Sequence, residues 1–444
     1  MGTGIFGALL TDAEAAAILG DAAQALAMVR VERALAEVEG RLGVIDRAAA
    51  AAIASALAGF EPDLADLARG TAEAGVPVPA LVAQLRRAVA GEAAGFVHWG
   101  ATSQDIVDTA LVLQLREALA LLEARLADLI DALAGLADTH RGLATVARTR
   151  FQQAVLTTFG LKAVGWLAPL PRHRQRLAEL RPRLLVVQFG GAAGNLSALG
   201  GRGIEVMEAL ARELGLGCPA MPWHAQRDAL AELASWLALV TGPLGKLGLD
   251  VLLLAQNEVG EVQEARGGGS STMPQKSNPV RAETLVALAR RNATLVGGMH
   301  QAMLHAQERD GAAWQLEWAI LPEMVETTAA ALSHARELAR TLVVDAARMR
   351  AVLDAARGLP LAEAASFALA THLPRAEAQE LVKRASRDAL ASGKDLIEII
   401  AARTAAPIDW QKLRAEAERP ACADALIDRV LDQAAGPLRQ GGGG

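Results

Sequence analysis

The chain has 444 residues, a formal net charge of −6 and 52% hydrophobic residues, yet only 3% aromatic residues and no tyrosine. The acidic balance, with a pI near 5.8, leaves no electrostatic case for binding nucleic acid. A composition dominated by Ala and Leu favours helices packed closely on one another.

No apolar run is read as reaching the roughly 18–20 residues that a membrane span requires. The start, MGTGIFGALLTDAEA, lacks the basic opening and cleavage pattern of a signal peptide, so a cytoplasmic protein is expected. Cys218 and Cys422 stand far apart and match no metal spacing, which predicts reduced thiols and no metal site.

From the N-terminus to about residue 100 the pattern is of short helices broken by glycine and proline. Ala23 to Leu42 is one of them, with Met28, Val31, Leu35 and Val38 on one face. Val97-His98-Trp99-Gly100-Ala101-Thr102-Ser103-Gln104-Asp105 follows. Thr102 and Asp105 have capping-box spacing, so a helix is predicted to begin here, with the Thr102 and Ser103 hydroxyls beside its first amides. Such a terminus suits a carboxylate, although a capping box by itself is also plain structure, and His98 reads equally as a structural histidine. Leu119, Leu122, Leu126, Leu129, Leu133 and Leu136 then form a heptad seam. The spacing predicts a helix from Ile106 to His140, roughly 50 Å long, which calls for partner helices.

Ala147 to Gly160 reads ARTRFQQAVLTTFG; taken alone, Arg150 there is a solvated charge. Gln188 to Asn195 is a glycine-rich turn without the strand–turn–helix setting of a dinucleotide site. Pro222 to Asp228 precedes a long apolar helical run to about Glu264. Next comes Gly267-Gly268-Gly269-Ser270-Ser271-Thr272-Met273-Pro274-Gln275-Lys276-Ser277-Asn278-Pro279. Glycines, hydroxyls and a lysine make a mobile polar loop, and Asn278-Pro279 reads as an N-cap with proline at the first position of a helix to about Gln307. Loop and helix terminus together are a natural anion holder. Arg309, Trp314 and Trp318 lie in the last part of the central section, from about Arg350 the helical patterns shorten, and the glycines at 441–444 are expected to be disordered.

GSSTMPQKSNP resembles the signature loop of the fumarase, aspartase and adenylosuccinate lyase superfamily, and VHWGATSQD resembles that superfamily's HxGxTSxD segment. ARTRFQQAVLTTFG is similar to a third shared segment, with Arg150 where many of these lyases carry histidine. The closest branch resembles the 3-carboxy-cis,cis-muconate cycloisomerases. The resemblance implies an all-α fold of three domains: a small N-terminal helical domain (1–105), a central bundle of long helices (106–349) and a small C-terminal helical domain (350–440). It implies a homotetramer with active sites shared between chains, a small polycarboxylate substrate and no cofactor.

By motif match Ser270 carries the proton, supported by Ser271. Lys276 and Asn278 hold one substrate carboxylate, and Thr102 and Ser103 a second. His98, Gln153, Arg309 and Gln226 are further substrate contacts. Arg150 either holds an oxyanion or merely pairs with Glu283. An arginine cannot supply the proton that an amine or hydroxide leaving group demands, whereas a carboxylate leaving group needs none. The resemblance therefore favours cycloisomerisation, with release of fumarate from a nitrosuccinate-type or adenylosuccinate-type succinate as the alternative. A catalytically silent, crystallin-like protein is a minor one.

Overall fold

A computed structural model describes residues 4–265, 267–269 and 272–436. Its axis is the helix Ser103–Thr139, 37 residues and roughly 55 Å long at 1.5 Å per residue. Leu119, Leu122, Leu126, Leu129 and Leu133 are buried along it and Leu136 is partly buried, so the heptad seam finds its partners. One is the helix Gly311–Thr341, which packs in turn on Asp228–Leu254 and Val280–Ala302. The last two helices lie unusually close. A Cβ added at Gly248 would come within 2.5 Å of the Ala282 carbonyl oxygen, so only glycine admits this approach.

Asp228–Leu254 also corrects the membrane reading, because by length and composition it could cross a bilayer. Most of its Leu, Val and Ala residues line the bundle core instead, although Leu239 and Leu249 are exposed.

A second apolar cluster joins Asp21–Leu42 and Val78–Val89 to the first turns of the Ser103 helix and to Gly203–Leu214. A third gathers residues from Leu361 to Ile400. The helix Ala423–Ala435 returns to the central bundle, where Ile427 and Ala434 join the main core.

The architecture is all-α, with three two-stranded ribbons among the described residues. Ala144–Thr149 pairs antiparallel with Gln152–Thr158, immediately after the long helix. Its turn is Arg150-Phe151, with φ of 49° and 66°. Such a turn usually carries Asn or Gly, and their absence hid the hairpin from sequence reading. Val262–Glu264 pairs with Leu342–Val344, so the apolar run predicted to continue to Glu264 stops as helix at Leu254. Gly268–Gly269 pairs with Ser277–Asn278.

The start of the Val280 helix needs a correction too. Asn278 lies in a strand, Pro279 is the cap residue, and the helix ends at Ala302 rather than Gln307. The acceptor for its first amides is Glu264, whose side chain takes the N–H of Ala282 at 2.8 Å and of Arg281 at 3.3 Å. The helix terminus read as an anion holder thus already holds a carboxylate of the chain.

Candidate active site

The Val97–Asp105 segment is built around Asp105, which is fully buried. Its Oδ2 accepts the backbone N–H of Thr102 at 3.0 Å, the acidic half of the expected capping box, and that of Gly191 at 2.9 Å. Its Oδ1 accepts from Gly190 N at 2.9 Å, Gln188 Nε2 at 3.0 Å and His224 Nε2 at 2.9 Å. The glycine-rich turn is therefore a backbone approach, directed at this carboxylate. A Cβ at Gly190 would stand 2.6 Å from Pro222 Cβ, so glycine lets the turn close on the Pro222–His224 loop.

One turn further along the helix, Asp108 meets Arg227 in a buried pair. Arg227 Nη1 and Nη2 donate to Asp108 at 2.6 and 3.1 Å, while Nε and Nη2 donate to Glu317 at 2.9 and 2.5 Å. Burial opposes the guanidinium charge, but the two carboxylates outweigh it and hold Arg227 above the usual arginine range. Trp314 Nε1 donates to Asp108 at 2.9 Å, which makes Trp314 a core residue rather than a lining one. Gln104 joins the two networks, donating to the His224 carbonyl at 3.0 Å and accepting from Arg309 Nε at 3.1 Å.

Arg309 then donates through Nη1 to Thr102 Oγ1 at 2.7 Å. Two expected site residues, Thr102 and Arg309, are thus in contact, and Ser103 and His98 flank Thr102 in the same segment. Ser103 makes no side-chain hydrogen bond among the described residues, so its hydroxyl is uncommitted. His98 bonds through Nδ1 to Glu32 Oε1 at 2.6 Å. Gln226 is exposed, on the loop that carries His224 and Arg227.

The other expected residues lie elsewhere in the chain. Arg150 and Gln153 are exposed on the hairpin that follows the C-terminal end of the long helix, whose length of roughly 55 Å begins beside Thr102. Arg150 makes no hydrogen bond or ion pair among the described residues, so the expected pairing with exposed Glu283 is absent within the chain. The hairpin is anchored instead by Arg148, whose Nη1 and Nη2 donate to Glu261 at 2.9 and 2.8 Å. Lys276 is exposed and Asn278 half-buried, both before the Val280 helix, whose 23 residues span about 35 Å toward Arg309. Ser270 and Ser271 lie outside the described residues.

Sequence reading missed Glu32, His224 and the Arg227 cluster. Glu32 carried a signal, since it falls on the buried face marked by Met28, Val31 and Leu35. His224 and Arg227 had none, because their partners are 90 or 119 positions away.

Replacing Asp105 with asparagine keeps the shape but turns an amide toward five donors. Breaking a buried charged set of this kind costs about 3–5 kcal/mol. Urea denaturation of Asp105→Asn is expected to show that loss, with faster amide exchange at Gly190 and Gly191; an unchanged midpoint would contradict the assignment.

Comparison with known proteins identifies the family. A sequence family described as "Lyase" matches residues 7–293. The chain is 46% identical over 438 residues to the 3-carboxy-cis,cis-muconate cycloisomerase of Pseudomonas aeruginosa, covering 97% of this chain and 92% of that one. It is 43% identical over 436 residues to the enzyme of the same name from Bradyrhizobium diazoefficiens, covering 96% of each. The crystal structure of 3-carboxy-cis,cis-muconate lactonizing enzyme from Pseudomonas putida superposes with a TM-score of 0.90 at 41% identity, covering 97% of this chain and 98% of that one. The chain belongs to the lyase family of the fumarase/aspartase superfamily.

Proposed function

We propose that the chain is a 3-carboxy-cis,cis-muconate cycloisomerase, forming 4-carboxymuconolactone without a cofactor. The observation that carries this reading is Arg150, a permanent cation held without an ion pair at the tip of a hairpin. It can bind an oxyanion and cannot act as an acid at neutral pH. That suits a reaction whose nucleophile, and whose leaving group in reverse, is a carboxylate with a pKa near 4.

In the cyclisation, one substrate carboxylate oxygen adds to an alkene carbon. The displaced electron pair moves onto a second carboxylate as an aci-carboxylate, and the neighbouring carbon takes a proton from the Ser270 hydroxyl. Solvent returns that proton to Ser270. Substrate and product differ by one carboxylate charge, so each turnover consumes one proton. Lys276 and Asn278 hold the carboxylate that accumulates charge, which strengthens their interaction as the intermediate forms. Thr102 and Ser103, with Arg309 fixing the Thr102 hydroxyl, hold another, and Gln153, Gln226 and Glu283 complete the surroundings.

The spacing of Thr102, Arg150 and Lys276 supports a site completed by more than one chain. Thr102 and Arg150 sit at opposite ends of a helix of roughly 55 Å, and Lys276 is about 35 Å of helix from Arg309. The reading therefore includes a homotetramer in which each active site draws on several chains. The substrate is a product of aromatic ring cleavage, which sets the reaction in cytoplasmic aromatic catabolism.

The direct test offers 3-carboxy-cis,cis-muconate, nitrosuccinate and adenylosuccinate in parallel and follows ultraviolet absorbance and proton uptake. Loss of the diene absorbance with uptake of one proton per turnover is expected. Release of fumarate from either succinate at a higher kcat/KM would overturn the assignment. Arg150→Met, which removes the donors and keeps much of the length, should lower kcat/KM by about 10–100-fold, the worth of a charge-assisted hydrogen bond. Arg150→Lys should recover part of this, and an unchanged kcat/KM in Arg150→Met would remove Arg150 from the site.

A further inference from the structure

Glu32 sits on the buried face of the Asp21–Leu42 helix at 2% exposure, among Met28, Val31 and Leu35. A carboxylate there is costly unless a partner compensates it. The partner is His98, whose Nδ1 stands 2.6 Å from Glu32 Oε1, in the range of a short charge-assisted bond. Glu32 Oε2 is buried and unpaired, so the whole compensation falls on the imidazole. His98 itself has a left-handed φ of 67°, uncommon outside glycine, in the segment that carries Thr102 and Ser103. Its other ring nitrogen, Nε2, makes no hydrogen bond among the described residues.

We propose that Glu32 is a positioning residue of the reaction: it fixes His98 as an imidazolium whose free Nε2–H binds a substrate carboxylate. The proposal rests on the reading that His98 contacts substrate and adds the means by which it is charged. Glu32 and, behind it, Glu39 approach from the Asp21 helix, Arg86 from the Val78 helix and Asp105 from the Ser103 helix. Burial and Arg86 oppose the imidazolium, but Glu32, helped by Asp105, outweighs them and holds His98 above the usual imidazole range. Glu39 is pushed up to about 9 by burial and then by Glu32, so it is uncharged at neutral pH and adds no second charge. Such a site presents a cation to a polycarboxylate, and a hydrogen bond fixes which ring nitrogen is left for it.

The sign of the pH effect follows. A raised His98 pKa keeps the binding-competent form to higher pH, and it is lost as pH rises through that value. Glu32→Gln removes the raising charge, so the alkaline limb of kcat/KM should move to lower pH, mostly through KM. Glu39→Gln, replacing an already neutral group, should leave the limb in place, and Glu32→Asp should restore it in part. His98→Gln should lower kcat/KM about 10–100-fold at neutral pH. If His98→Gln is active at the wild-type level, His98 is not in the site and the underlying reading fails. If His98→Gln is impaired but Glu32→Gln keeps the wild-type limb, the positioning role alone is overturned. Should Glu32→Gln not fold, ring-nitrogen titration of histidine-labelled wild-type protein decides, with His98 assigned by its loss in His98→Gln. A His98 resonance titrating at or below the ordinary imidazole value would overturn the proposal, and one titrating above it is expected.

Discussion

Asp105 accepts five hydrogen bonds in a fully buried position, from its own helix start, from the turn at Gln188–Gly191 and from His224. A buried carboxylate with fewer partners would be strongly destabilising, so the three segments are obliged to meet. Once they meet, Gln104 lies within reach of both His224 and Arg309, and Arg309 within reach of Thr102. The Asp108–Arg227–Glu317 cluster repeats the arrangement one turn deeper and ties in the Gly311 helix. The Thr102 and Ser103 hydroxyls proposed to meet substrate thus stand on a scaffold held by buried charge.

This scaffold explains what the motifs alone left ambiguous. The amide of Thr102 is not free for a ligand, because Asp105 takes it, and the first amides of the Val280 helix are taken by Glu264. At both helix starts the dipole stabilises a carboxylate of the chain, so the proposed contacts of Thr102, Ser103, Lys276 and Asn278 with substrate are made by their side chains. Charge recognition in the proposed site is therefore a matter of discrete donors, with the helix termini stabilising the fold.

Much of this was legible in the amino-acid sequence where the signal is local. The seam Leu119 to Leu133 announced the long helix, and the Thr102–Asp105 spacing located its start within a residue of the observed Ser103. Boundaries set by distant partners were not legible. Asn278-Pro279 looked like a cap, but the capping group is Glu264, separated by the glycine loop. The hairpin after the long helix was invisible because Arg150 and Phe151 occupy a turn that glycine or asparagine usually signals. Glu32 was overlooked although its place on an apolar stripe marked it, since a charge at a core position implies a partner. The site residues were named by motif, and the long helix predicted between the Thr102 and Arg150 segments already implied their separation.

That separation is the central claim, because a site spread over opposite ends of one chain works only if several chains complete it. It is tested most directly by mixing two disabled proteins: a Thr102→Val, Ser103→Ala double variant and a Ser270→Ala variant. Each is expected to be inactive alone, and the two are unfolded, combined in equal amounts and refolded together. If each site takes these parts from different chains of a symmetric assembly, random mixing makes about a quarter of the sites intact, and activity should return to about that fraction of wild type. A mixture that stays as inactive as its components, while forming the same assembly, would contradict the account and place the whole site within one chain.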